Sequence, residues 1–223
     1  MDFKNYRTQF IDKIESMIPT VNAFNWEDEN HYQMWLAQTY YIVRHTSHFI
    51  CMAAALTPVE ARAEHYHLVN HLKEEEHHDV FLVKDLASFG KKFSDFPQLP
   101  ETELTWQNLY YWLSQRKSRS ILGHSLCIEG LAGITGETLL KRLRNTYPAK
   151  ALKFLELHFE ADKDHYLQGL ELIEGFDKES LEDIKKVQEQ SAVLYLNMLS
   201  AISKYCDSKK VKSTGFEPLR KPA

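Results

Sequence analysis

Apolar residues recur at intervals of three and four along most of the chain, a spacing that gives an α-helix one buried face. The alternation of Val, Ile and Thr with polar residues that marks strands is missing. Only eight glycines and seven prolines interrupt the pattern, and several of them stand near apparent helix ends. The pattern therefore predicts an all-α protein.

Start and stop residues divide this pattern into long helices. Thr57 is expected to cap a helix that Gly90 ends. No linker-like stretch divides the chain, so we expect a single helical domain over residues 1–207 and a flexible basic tail over 208–223. The helices are expected at about 3–18, ended by Pro19; 27–55; 58–90; 104–147, interrupted near Gly123; 148–172; and a last helix with an inward-facing stripe from Leu181 to Ile202.

Charge and cysteine content narrow the class of protein. The 223 residues carry a formal net charge of −4 with acids and bases interspersed, which argues against a nucleic-acid partner. No stretch approaches the roughly 20 apolar residues that span a bilayer, and the first residues lack the apolar run of a signal peptide. Cys51, Cys127 and Cys206 are too scattered for a disulfide framework. We therefore expect a cytoplasmic protein with no membrane partner.

One short polar pattern, His-x3-acid-x2-His, occurs twice. Each residue of a helix advances about 100°, so positions i, i+4 and i+7 share a face. Imidazole and carboxylate on one face suit iron, manganese or zinc, and helical bundles often hold two irons with acid-x2-His segments. The pattern therefore indicates metal binding. Its two copies are His71, Glu75 and His78, and His158, Asp162 and His165.

Glu129 stands alone among apolar and small residues in "CIEGLAG". A buried carboxylate costs several kcal/mol unless it is paired or binds a metal. Glu129 is therefore the further carboxylate that such a site requires, although pairing with Arg116 or Arg119 is an alternative. The charged segments around His71 and His158 also have a simpler interpretation, as solvated helix faces.

Polar side chains on the apolar second helix have two interpretations. His45 and His48 fit hydrogen-bonded core histidines, and Tyr41 fits core packing, with pocket lining as the alternative for all three. Cys127 fits a small buried side chain.

These residues resemble the heme-oxygenase-like diiron oxidases and oxygenases, whose seven-helix fold is shared with heme oxygenase. "HFEADKDH" is similar to the His/Asp/His cluster of that family, Glu129 stands where its second-helix Glu lies, and Glu75-x2-His78 is similar to its first acid and histidine. The resemblance implies a seven-helix bundle with two non-heme irons. The implied ligands are Glu75, His78, Glu129, His158, Asp162 and His165, with Glu74 as the alternative to Glu75 and His71 as a ligand, a neighbour of the ligands or incidental.

The chain also departs from the family. His71 stands where a branch with a longer gap places its Glu, and Leu139 replaces a lysine that the para-aminobenzoate-forming branch uses. The implied function is an O₂-dependent oxidoreductase that oxidises or cleaves an amino-acid-like or fatty-acid-like substrate, and we expect a homodimer. The alternatives are a metal-free enzyme resembling thiaminase or pyrroloquinoline-quinone synthase, for which Cys127 would be the nucleophile of the thiaminase type, and a non-enzymatic iron-binding bundle.

Overall fold

The computed structural model describes residues 1–214, except the side chains at 160, 161, 163 and 210–214. This part of the chain forms nine α-helices and short 3-10 turns, without a strand, and the all-α prediction is confirmed. No helix in it is long and apolar enough to cross a membrane. The helices are α1 (Phe3–Ala23), α2 (Glu29–Val43), α3 (Thr46–Leu56), α4 (Arg62–Glu74), α5 (His78–Ala87), α6 (Pro100–Ser114), α7 (Ile121–Leu143), α8 (Lys153–Ile173) and α9 (Lys178–Thr214).

The count exceeds the expected seven partly because two predicted helices are interrupted. The predicted helix over 27–55 breaks at Arg44 and His45, between α2 and α3. The predicted helix over 58–90 begins only at Arg62 and breaks after Glu74, where His77 adopts a left-handed backbone with φ of 70°. Thr57 ends α3 instead of starting a helix, because its hydroxyl donates to the Ala53 carbonyl. Gly90, at φ +70°, follows the end of α5 as predicted.

Two helix ends lie further along the chain than predicted. α1 continues through Pro19 to Ala23, since Met17 and Val21 are buried and the Trp26 indole N–H donates to the Val21 carbonyl. This packing outweighs the roughly 3 kcal/mol that an interior proline costs. α9 extends to Thr214, so the expected tail is helical up to that residue, and 215–223 lie outside the described residues.

Helix α7 packs against α1, α8 and α9, and glycines allow the close approach. A Cβ at Gly123 would overlap the Ile184 carbonyl oxygen of α9, and one at Gly133 would lie 2.9 Å from the Tyr166 ring of α8. The α9 stripe from Leu181 to Ile202 faces inward as predicted, with Tyr195 only partly buried. Ligand-type residues on α7 and α8 are thereby brought to adjacent helices.

The apolar interior consists of two clusters. The larger one joins α1, α2, α5, α7, α8 and α9, and the smaller one joins α3, α4, α6, the start of α7 and Val187 of α9. Ile50 and Leu68 of the smaller cluster and Leu122 of the larger one line a small space that also contains His71, Glu129 and His165. The predicted polar residues therefore lie where the two clusters meet.

Candidate metal centre

The six predicted ligands, together with His71 and Glu74, come from three regions of the chain. The segment from α4 into α5 supplies His71, Glu74, Glu75 and His78, α7 supplies Glu129, and α8 supplies His158, Asp162 and His165. Apart from the half-exposed Glu74, none of these side chains is exposed to solvent. The simpler interpretation of both polar segments as solvated helix faces is therefore wrong for these residues.

One group consists of Glu75, His78 and His158, whose ligand-type atoms lie within 4.8 Å of one another. His78 Nδ1 lies 2.9 Å from Glu75 Oε2. The His158 Nδ1–H donates to the Phe154 carbonyl at 2.8 Å, since that oxygen can only accept. The neutral His158 ring therefore keeps an unprotonated Nε2, which is the form that binds a metal.

A second group consists of His71, Glu74 and His165, again within 4.8 Å of one another. Glu129 and Asp162 adjoin it: His71 Nε2 lies 3.4 Å from Glu129 Oε1, and His165 Nδ1 lies 3.6 Å from Asp162 Oδ1. Glu74 and Glu75 thus belong to different groups of ligand-type atoms.

The two groups are close enough to influence each other electrostatically. Burial raises the pKa of Glu129 well above its ordinary value, and the nearby Asp162 and Glu75 carboxylates raise it further. The pKa of His165 is raised to about 9, chiefly by Asp162. The pKa of Glu75 is lowered although burial opposes this, because His78 hydrogen-bonds to it and His78, His158 and His71 surround it. Crowded carboxylates of this kind favour binding of a cation.

Buried atoms without a hydrogen bond test whether iron fits this site. Asp162 Oδ1 and His165 Nδ1 face each other beyond hydrogen-bonding distance, and neither has a hydrogen-bond partner among the described residues. At 3.6 Å the two side chains form an ion pair without a hydrogen bond, and at this separation both atoms can bind a shared cation. A donor set of imidazole and carboxylate without thiolate suits iron or manganese. The residues therefore fit a pair of such ions.

Asp85 connects two of the helices that carry the site. α8 begins without a side-chain cap of its own, and Asp85 of α5 accepts hydrogen bonds from the backbone N–H groups of Lys153 and Phe154, at 3.2 and 2.9 Å. α5 begins with His78, and α8 carries His158 one turn after Phe154. This contact fixes the start of α8 relative to α5.

A cavity of about 180 Å³ adjoins both groups and follows α7 from His124 to Leu139. Glu75, Glu129, His158 and Asp162 contribute to its wall. Toward Leu139 the lining is mainly apolar. Toward His124 it is polar but uncharged, since burial lowers the pKa of His124 to about 4 and its Nδ1 lies 3.0 Å from the Ser191 hydroxyl.

Several residues predicted near the pocket do not line this cavity. Tyr41 donates from its hydroxyl to the Phe93 and Phe96 carbonyls, His45 stacks on Trp106 beside Tyr110, and His48 is exposed. Cys127 lies on another face of α7, against Met17, and burial raises the pKa of its thiol to about 12. None of these four side chains lines the cavity. The interpretation of Tyr41, His45 and His48 as pocket residues is therefore wrong for this cavity.

One alternative for Glu129 is excluded by the contacts of Arg119. Arg119, one of the candidate partners of Glu129, instead binds Glu64 and Asp177. The contributions of Asp85 and His124 were not predicted. Asp85 follows the apolar segment "VFLV" and Lys84, a weaker signal than the one that marked Glu129, and His124 had no signal.

Comparisons with known proteins agree with this geometry. A family model described as iron-containing redox enzyme matches residues 33–196. No curated protein matches the chain. A domain of unknown function with a heme oxygenase-like fold from Shewanella denitrificans OS217 superposes with a TM-score of 0.78 at 20% identity, covering 100% of this chain and 99% of that one. A TenA homologue from Pseudomonas syringae pv. tomato DC3000 superposes with a TM-score of 0.73 at 13% identity, covering 89% and 93%.

The two superpositions confirm the predicted heme-oxygenase-like fold. The family match covers most of the chain and includes every residue of both groups. The chain therefore belongs to the family of iron-containing redox enzymes.

Proposed function

We propose that the chain is a non-heme diiron oxidase or oxygenase that uses O₂ to oxidise or cleave a small-molecule substrate. The observation that carries this proposal is the pair of adjoining, largely buried imidazole–carboxylate groups in a member of an iron-containing family. Glu75, His78 and His158 would hold one iron, and Glu129, Asp162 and His165 the other. When bound, the irons would supply the electron transfers that reduce O₂.

The surrounding residues would orient the ligands and limit the access of water. The Phe154 carbonyl holds the ring of His158 in one tautomer, and Asp85 fixes the helix start from which that ring projects. Apolar side chains on α7 and α8 enclose one side of the site. Enclosure of this kind strengthens electrostatic interactions and protects reactive species from side reactions.

The cavity supports a small, largely apolar substrate. A volume of about 180 Å³ is little more than the roughly 150 Å³ cavity that holds a benzene molecule. No lysine or arginine contributes to its wall among the described side chains. The carboxylate of an amino-acid-like or fatty-acid-like substrate would therefore have its cationic partners at the metal ions, with the apolar arm toward Leu139 available for the rest of the molecule.

A metal-free reaction of the thiaminase type is the alternative, and the structural likeness to a TenA homologue concerns the fold alone. Such a reaction needs a nucleophilic thiol, and no cysteine lines the cavity among the described residues. A metal-free reaction would also leave the burial of Glu129 beside Asp162 and Glu75 without an explanation. A non-enzymatic iron-binding bundle would account for the ligands but not for the adjoining cavity.

Anaerobic loading with Fe²⁺ followed by metal counting tests the proposal. We expect close to two irons per chain, a transient visible absorbance on mixing with O₂, and reduced iron content in Glu129→Ala and His165→Ala. Parallel loading with Mn²⁺ identifies the preferred ion. A wild-type chain that binds no iron, or variants that bind as much as wild type, would contradict the proposal.

A further inference from the structure

We propose that His71 is a seventh metal ligand, so that the second ion is held by two imidazoles and two carboxylates, namely His71, His165, Glu129 and Asp162. This inference rests on the proposed diiron function. It assigns a role to His71, which the family resemblance leaves open as a ligand, a neighbour of the ligands or incidental.

The separations of the donor atoms suit a shared ion. Two donors that each lie about 2.1 Å from an ion are about 3.0 to 3.5 Å apart at octahedral or tetrahedral angles. His71 Nε2 and Glu129 Oε1 are separated by 3.4 Å. A charge-assisted hydrogen bond would be shorter, at about 2.7–2.9 Å. The distance between His71 Nε2 and Glu129 Oε1 therefore fits two ligands of one ion better than it fits a hydrogen bond.

His71 is directed at the second group from α4, opposite the α8 residues. Its ring centroid lies 5.1 Å from that of His165, and its side chain is only 10% exposed. Beside these rings lie His165 Nδ1 and Asp162 Oδ1, which form an ion pair at 3.6 Å but no hydrogen bond. Donor residues from α4, α7 and α8 thus meet here as two close pairs, His71 with Glu129 and Asp162 with His165, and the two imidazole rings join the pairs.

Glu74 is a poorer candidate for this position than His71. Its Oε2 lies 3.2 Å from His165 Nε2, but its side chain is 53% exposed. A half-exposed carboxylate stays hydrated without a metal and is free to orient His165 from the solvent side. We therefore assign the metal-binding role to the buried imidazole.

An imidazole ligand at this position has a consequence for charge. A glutamate there, as the longer-gap branch would place it, would add a fourth negative charge to Glu75, Glu129 and Asp162. With neutral His71 instead, three carboxylates do not neutralise two divalent ions. The loaded centre keeps a net positive charge, which favours an anionic substrate at the metals.

His67 supplies a matched control on the same helix. It lies one turn before His71, and the two rings stack in parallel with centroids 6.2 Å apart. His67 belongs to neither group of ligand-type atoms within the described residues. Replacement of either histidine therefore removes the His67–His71 ring contact, whereas only replacement of His71 removes a proposed ligand.

The test compares His71→Ala, His71→Gln and His67→Ala by anaerobic Fe²⁺ titration, and by the visible spectrum of the Co²⁺-loaded proteins. We expect His71→Ala to lower the affinity for one of the two ions by more than about 100-fold, beyond the 10- to 100-fold typical of a residue that only orients a ligand. His67→Ala should bind two ions with the wild-type Co²⁺ spectrum.

His71→Gln separates the ligand role from an orienting role. The glutamine amide can still donate a hydrogen bond to Glu129, so recovery of affinity and of the Co²⁺ spectrum would overturn the proposal. Two ions and an unchanged spectrum in His71→Ala would overturn it as well. Melting of the metal-free variants identifies any that do not fold. Failure of wild type to bind metal would instead refute the proposed function.

Discussion

Glu129 shows how a single residue can be unfavourable for folding and useful for metal binding. Its carboxylate is buried near Asp162 and Glu75, and these surroundings raise its pKa well above the ordinary value. A bound cation would remove this penalty. The side chain is therefore better explained by metal binding than by stability of the metal-free chain.

Glu129→Gln is predicted to stabilise the metal-free protein at pH 8 by on the order of 1 kcal/mol. Because burial and neighbouring acids raise the pKa of Glu129, its unfavourable ionisation is absent at low pH and grows as pH rises through the folded-state pKa. In the variant, the free energy of unfolding should therefore depend less on pH over this range. Urea unfolding in the presence of a chelator, from pH 5 to 9, measures the difference.

Glu171→Gln, at an exposed position of α8, is the control and should change stability little. A metal-free Glu129→Gln protein less stable than wild type at pH 8 would show that the carboxylate has a stabilising partner without metal.

At the scale of helices, the start of α8 depends on a residue 68 positions away. Asp85 accepts the N–H groups of Lys153 and Phe154, which α8 has no side-chain cap of its own to satisfy. Burial raises the pKa of Asp85 to about 6, although these hydrogen bonds and Lys153 oppose the shift. One buried acid therefore aligns the helices that begin with His78 and carry His158.

Asp85→Ala is predicted to lower the free energy of unfolding by about 1–3 kcal/mol, because it leaves two backbone N–H groups unpaired. Asp85→Asn keeps an acceptor and should cost less. Because the pKa of Asp85 is higher in the folded state, its contribution to the free energy of unfolding is complete below pH 3.8 and is lost as pH rises through about 6. Denaturant unfolding from pH 3.5 to 7 should show that component in wild type and not in Asp85→Asn. Equal stability of Asp85→Ala and an exposed Asp164→Ala control would contradict the capping role.

Gly123→Ala is predicted to destabilise the fold by about 3 kcal/mol, because the new Cβ would lie 2.1 Å from the Ile184 carbonyl oxygen and force α7 away from α9. Gly175→Ala is the matched control, since nothing lies within 4 Å of a Cβ at that position. Thermal melting of both variants, with chelator, measures the contrast. Similar melting temperatures would show that the two helices can separate easily.

At the scale of the whole molecule, the sequence predicted the residues that share a helix face, but it did not predict the contacts between distant helices. His158, Asp162 and His165 share a face because α8 is regular, and this follows from sequence alone. The break between α4 and α5 was missed because "KEEEHH" consists of charged residues and histidines, without the glycine that usually marks a left-handed position such as His77. The Asp85 contact and the cavity surface at His124 arise only when distant helices pack.

Metal binding is predicted to stabilise the whole chain and to do so more strongly at higher pH. Free Mn²⁺ at about 100 times its Kd adds about 2.7 kcal/mol to the free energy of unfolding for one site. Asp162 raises the pKa of His165 to about 9, so a bound proton competes with the ion until pH passes that value. Calorimetric titrations at pH 7, 8 and 9 should show rising affinity and proton release. A flat profile would mean that His165 loses no proton on binding.

The two helix interruptions have a consequence for the rate of molecular exchange. Val43 and Glu75, next to these breaks, line both the interior cavity and a depression on the surface. The cavity and the depression therefore share these two side chains in their walls. Side chains change rotamer in picoseconds to nanoseconds, whereas packed helices move apart in microseconds to milliseconds. Entry of a small molecule at this point would require movement of these side chains and not separation of the packed helices.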